Sequence, residues 1–95
     1  MNKLSGIELI EQERLEQVTK HKRTVRQDVN LNPNGELRRA AIALMGNEGK
    51  SDFLAMPHKW NEVVVVKMCN KPYKERLIIA GALIAAEIDR IQHLE

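Results

Sequence analysis

The carboxylates are the side chains in this sequence best placed to do chemistry. Glu13 and Glu16 stand three residues apart, so on a helix they share a face and can reach one cation together, or simply form a solvated face. Glu36 directly follows Asn34-Gly35 at an expected helix start, where a carboxylate serves the helix dipole and free amides as readily as it serves a ligand. Glu87 lies between Ala86 and Ile88 in the most apolar stretch of the chain, where a charged group requires an ion or a basic partner such as Arg14, Arg38 or Arg39. Asp89 and Arg90 read as solvent-facing or paired. The remaining reactive types offer less. His21, His58 and His93 have no ligand spacing with one another. Cys69 is the single cysteine, which excludes an internal disulfide and a multi-thiolate zinc site, and it reads as a structural thiol. A glycine-rich phosphate loop, a nucleophile elbow and a zinc signature are all missing from the sequence.

Holding such acids in place falls to helices. Ninety-five residues suit one domain, 1–95, and its composition of 43% hydrophobic and 29% charged residues argues against wholesale disorder. Trp60, Tyr73 and Phe53 are the only aromatics, so the core must be aliphatic. Ser5 and Glu8 form a capping box that starts a first helix, expected to run to about Arg26 along a stripe of Ile7, Ile10, Leu15, Val18, Lys22 and Val25. Residues 30–35, rich in Asn with Pro and Gly, read as a loop. Leu37, Ala40, Ala41, Leu44 and Met45 have the spacing of an amphipathic helix, and Gly46 is its expected stop. Gly46 to Pro57 reads as an irregular connection. Val63 to Val66 has strand propensity, yet Trp60, Val63, Val64 and Met68 fit a helical face and no second strand exists to pair with it, so a short helix is expected. Pro72 opens the last helix, with Leu77, Gly81, Ile84, Ile88 and Ile91 as one seam and Ile78, Ile79, Leu83 and Ala85 widening it almost all round. A helix this apolar needs cover that a short chain cannot supply alone, which implies a homodimer or higher homo-oligomer. The expected fold is an all-α bundle of three to four helices.

Charge and targeting narrow the classes further. A net charge of +2 and the lack of aromatic platforms argue against nucleic acid as a partner. The acidic start, Glu8 to Glu16, followed by Lys20, His21, Lys22, Arg23 and Arg26, reads as macrodipole complementation within one helix or as a phosphate-facing basic end. The longest apolar run, Leu77 to Ala86, is too short for a bilayer, which needs ~20 residues, and the N-terminus has no signal-peptide character. A cytoplasmic protein with no membrane partner is expected. Leu94-Glu95 has the look of a cloning scar and is set aside.

Three strings taken together carry a resemblance: Glu13-Arg14-x-x-Gln17, Gly35-Glu36-Leu37-x-x-Ala40-Ala41, and Leu77-x-x-Ala80-Gly81-Ala82-Leu83-Ile84-x-Ala86-Glu87-Ile88-Asp89-Arg90. In that order, with Trp60 and Lys71-Pro72 between the second and third, they resemble a family of short phage and prophage helical proteins. That family is in turn similar to the MazG-like, all-α nucleoside triphosphate pyrophosphohydrolases. The resemblance implies a Mg²⁺-dependent enzyme that cleaves a nucleotide to a monophosphate and pyrophosphate. It also implies roles: Glu13, Glu36, Glu87 and Asp89 as metal ligands, Glu36 and Glu87 as catalytic acids, and Arg14, Arg38 and Arg90 as holders of phosphate oxygens. Hard-cation chemistry of this kind needs oxygen ligands gathered from neighbouring helices. The family pattern also wants Glu-x-x-Asp where this chain has Glu36 with Arg39 and Glu87 with Arg90, and an Asp-Asp-x-His-like string where it has Asp28 to Asn32. The competing expectation is a non-enzymatic, prophage-derived interaction or oligomerisation module, in which the last helix serves assembly and the acids serve salt bridges.

Overall fold

The computed structural model describes residues 3–21, 24–46 and 49–95. Among them five α-helices and one 3-10 turn occur, with no strand: α1 Gly6–Thr19, α2 Val25–Leu31, α3 Glu36–Met45, the 3-10 turn Phe53–Ala55, α4 Glu62–Cys69 and α5 Tyr73–Leu94. The all-helical class is as expected, while the helix count exceeds the expected three to four. No described helix is long and apolar enough to cross a membrane.

The extra helix comes from the N-terminal third. The expected capping box is present, with Ser5 N–H donating to Glu8 Oε1 at 2.9 Å and Glu8 N–H to Ser5 Oγ at 3.2 Å. The helix it starts ends at Thr19 rather than near Arg26, and Thr24 then caps a separate short helix through Gln27 N–H. Of the expected basic run, Lys22 and Arg23 lie outside the described residues, Lys20 is the cap of α1 and Arg26 stands in the first turn of α2. Splitting the helix also changes its buried face. Ile7 and Leu15 of the expected stripe are exposed, and Gln17 is buried instead.

α3 and α5 form the centre. Leu37, Leu44 and Leu83 are fully buried, and the alanines at 40, 41, 43, 80, 82 and 86 let the helices approach closely. α5 touches α1, α2 and α3, so it is the scaffold on which the acid-bearing helices are hung. Its buried side is Ile79, Ala80, Ala82, Leu83 and Ala86, while Leu77, Ile84, Ile88 and Ile91 of the expected seam remain exposed. Gly46 caps α3 as expected, with φ +61. A Cβ there would meet the Lys50 carbonyl oxygen at 1.6 Å, so only glycine allows the chain to turn at this point.

Residues 62–69 are helical, capped by Asn61 through Val64 N–H at 3.2 Å. The face that packs is Val65, Met68 and Cys69; Val63 and Val64, expected inside, are exposed. α4 rests on α3 and the 3-10 turn. The connection behind it is fastened by Arg76, a buried residue whose guanidinium donates to Leu44 O at 2.7 Å, Lys71 O at 3.0 Å and Gly49 O, with its carbon 5.4 Å above the Tyr73 ring. One side chain thus binds the end of α3, the loop after it and the start of α5.

Candidate functional site

Buried polar groups come from four elements. Gln17 from α1, Asp28 and Asn32 from α2 and its end, Glu36 from α3 and Arg90 from α5 are all buried. Each placement has a local cause. Asp28 and Asn32 are four apart, so the Asn32 amide donates to Asp28 Oδ1 at 3.0 Å along one helix face. Gly35, at φ +81, turns the chain so that α3 begins immediately at Glu36. The Glu36 side chain then folds back to accept Asn34 N–H at 2.6 Å.

Most of these charges are answered within the cluster. Lys59 Nζ lies 2.7 Å from Glu36 Oε2. Burial pushes the Glu36 carboxyl up, but the Lys59 ammonium and the backbone N–H groups of Glu36 and Asn34 together outweigh it and hold it below the ordinary carboxylate value. Both Glu87 oxygens accept from Arg90, Oε1 from Nε at 2.7 Å and Oε2 from Nη2 at 3.1 Å. Those bonds from Glu87 raise the Arg90 guanidinium above its ordinary value against the opposite pull of burial, and the nearby charges of Glu36 and Asp28 add to the effect. Charges on α2, α3 and α5 therefore all act on one guanidinium, with Glu87 in direct contact.

Beside this cluster opens a cleft of about 790 Å³, walled by Trp60, Val64, Met68, Ile78 and Ile79. Its polar lining comes from three carboxylates, Glu13, Glu16 and Glu75, two lysines, Lys59 and Lys71, and Gln17, His21, Asn30 and Asn61. Trp60 links the cleft to the cluster, its indole N–H donating to Asn32 Oδ1 at 2.9 Å. Lys59 does the same, facing the cleft while holding Glu36.

The expected site residues divide among several places. Glu13 accepts from Gln17 at 3.1 Å and lines the cleft, as does Glu16. Glu36 and Glu87 face the cluster. Asp89, two residues from Glu87, points elsewhere and pairs with Arg14 at 3.3 Å in a surface groove shared with Val18, Val25 and His93. Arg38 is exposed on α3, and none of Arg14, Arg38 and Arg90 lines the cleft. Lys59 and Lys71 do; Lys59 was not singled out from the sequence, and Lys71 only with Pro72 as part of the resemblance. Asp28 entered only as a departure from the family's string and not as a site residue; its signal was the i, i+4 pairing with Asn32.

A Mg²⁺ ion requires several oxygens at ~2.1 Å around one point. As arranged, the acids do not fit it. Glu36 is held by Lys59, Glu87 by Arg90 and Asp89 by Arg14, and among the described residues no three His, Cys, Asp or Glu side chains are grouped to hold a metal. The chain matches no protein-family model, no curated protein and no solved structure.

Proposed function

We propose that this chain binds a nucleoside triphosphate in the Trp60 cleft, in the manner of a MazG-like protein whose hydrolytic site is degenerate. The observation that carries the reading is the cleft itself. Its volume of about 790 Å³ suits a nucleotide. The Trp60 indole offers a stacking face for the base, and the Gln17, Asn30 and Asn61 amides offer both donors and acceptors for its edge. Lys59 and Lys71 bring ammonium groups for phosphate oxygens, although Lys59 is paired with Glu36 and Lys71 with Glu75, and a triphosphate must draw them from those acids. Cleavage with Mg²⁺, as the resemblance implies, would need Glu36 and Glu87 released from Lys59 and Arg90, so binding comes first in this reading and pyrophosphate release second.

The second reading, a non-enzymatic interaction module, is favoured by one observation. α4 presents Val63, Val64 and Val66 to solvent on a helix with little packing behind it.

Calorimetric titration of the whole chain with ribo- and deoxynucleoside triphosphates separates them, run alongside pyrophosphate release with Mg²⁺, Mn²⁺ and chelator. Saturable binding that weakens at least about tenfold in Trp60→Leu and Lys59→Ala supports the cleft, since a stacked base contributes ~1–3 kcal/mol. Metal-dependent release lost in Glu36→Gln or Glu87→Gln would restore the full enzyme. Folded protein that neither binds nor cleaves any triphosphate would sink the nucleotide reading and leave the interaction module.

A further inference from the structure

Lys59 stands between two cavities. It lines the Trp60 cleft, and it also lines a second pocket of about 400 Å³ with Glu36, Arg39, Met56, Pro57 and His58. No other described residue lines both. Its ammonium is committed to the second pocket, 2.7 Å from Glu36 Oε2, with the carboxylate side chain 5% exposed and the lysine side chain 51% exposed. The next residue, Trp60, reaches the same junction between helices. Its indole N–H donates to Asn32 Oδ1 at 2.9 Å, and Asn32 caps the end of α2 where Glu36 opens α3.

The backbone that carries both side chains closes a turn on itself, with Trp60 N–H donating to Pro57 O at 3.2 Å. Its ends are anchored, by buried Met56 and Pro57 on one side and by Asn61, the cap of α4, on the other. His58 and Lys59 between them are exposed. Residues 57–60 thus make a strap across the α2–α3 junction, fastened there by an ion pair and a hydrogen bond from side chains that also line the cleft. An anion in the cleft competes with Glu36 for the Lys59 ammonium. Sharing that ammonium would bring a polyanion and a buried carboxylate close together, and like charges at such range repel strongly away from bulk water.

We infer that residues 57–60 form a strap that a polyphosphate in the cleft unfastens, by drawing Lys59 off Glu36, and that its opening joins the two pockets. The inference rests on the nucleotide reading for the kind of ligand and adds how the ligand changes the site. With Lys59 withdrawn, the Trp60–Asn32 bond loses its neighbouring fastening and the strap opens more often. Opening brings Glu36 and Arg39 of the second pocket within reach of the ligand, so the joined site offers a guanidinium that the closed cleft does not. While the pair holds, it lowers the apparent affinity, because the binding-competent state is only a fraction of the whole.

Inorganic triphosphate, with chelator present, is the probe, because it carries the anion without a base or a metal. Solvent exchange of the Trp60 indole N–H, followed by nuclear magnetic resonance on the whole chain, reports the bond to Asn32; the chain has one tryptophan, so the signal is unambiguous. Exchange should quicken about threefold or more when triphosphate is added to the wild type, and in Glu36→Gln and Lys59→Met without ligand. By calorimetry, Glu36→Gln should bind triphosphate about tenfold more tightly, since Lys59 is no longer held by a charged acceptor, and Lys59→Met about tenfold more weakly. In the double variant the gain from Glu36→Gln should vanish. Bound triphosphate that leaves the indole exchange of the wild type unchanged would overturn the inference, as would a Glu36→Gln gain that persists without Lys59. Triphosphate bound by no variant, while nucleoside triphosphates still saturate the cleft, would overturn the strap alone. If neither binds, the nucleotide reading falls and the ligand-opened strap falls with it, even where the two substitutions quicken exchange.

Discussion

Glu36 meets both Asn34 N–H and the Lys59 ammonium, and its ionisation can be followed. Its carboxyl sits below the ordinary value because Lys59 and two N–H groups outweigh burial. A carboxyl with a depressed folded pKa stabilises the fold above the unfolded value, and that contribution is lost as pH falls through the folded value. Glu36→Gln should cost about 2 kcal/mol at neutral pH, in the range for hydrogen bonds to a charged group, and the gap from wild type should close below about pH 4.5. Urea melts at several pH values measure it; a gap that stays constant down to pH 3, below the usual carboxyl range, would show that Glu36 contributes through packing alone. Arg76 is the opposite kind of buried ion, with its donors spent on backbone carbonyls that no helix satisfies. Arg76→Met leaves those carbonyls unpaired and should cost about 3 kcal/mol in chemical denaturation, with ligand binding affected only through the lost stability. Cys69, by contrast, is held up by burial in spite of Ser51 and Arg76, so its thiol is a poor nucleophile at neutral pH, in keeping with the structural reading.

Among the elements, the sharpest constraint is the end of α3. Gly46→Ala would force the Lys50 carbonyl to move and set a side chain at positive φ, so the 46–52 connection must rebuild. A loss of at least about 2 kcal/mol is expected, with melting temperature as the readout, whereas Gly49→Ala, with open space at its Cβ, should cost less despite its own positive φ. Element by element, the legibility of the sequence followed how local each cause was. Ser5-Glu8, Gly46 and Pro72 act within a turn of themselves, and each marks a boundary where expected. The break between α1 and α2 was hidden because Val18 and Val25 keep helical spacing across it, and Thr24, the new cap, looks like any polar residue until the chain turns. The inward face of α4 was misread for a related reason. A run of four valines offers apolar groups on every side, and only contact with α3 and the 3-10 turn selects Val65. Glu36 and Glu87 stood out from their surroundings, but Lys59 comes from a loop, whose pairing with Glu36 depends on tertiary approach that no spacing encodes.

At the scale of the whole molecule, α5 has two unlike sides. Its alanine-rich face receives α3, and its isoleucine strip faces out. The homo-oligomer expected from the sequence would link folding to association, so its melting temperature must rise with protein concentration. Melts at concentrations spanning about a hundredfold should shift by several degrees; a midpoint independent of concentration would count against the oligomer. The hydrogen bond from Trp60 to Asn32 has a consequence of an optical kind. The chain has one indole, fixed at the wall of the cleft, while the longest helix carries a single phenol at its start and no indole. Fluorescence therefore watches the cleft wall, and far-ultraviolet ellipticity is weighted toward the 22 residues of α5. Two denaturation curves that separate would show the cleft breathing open while its scaffold still stands.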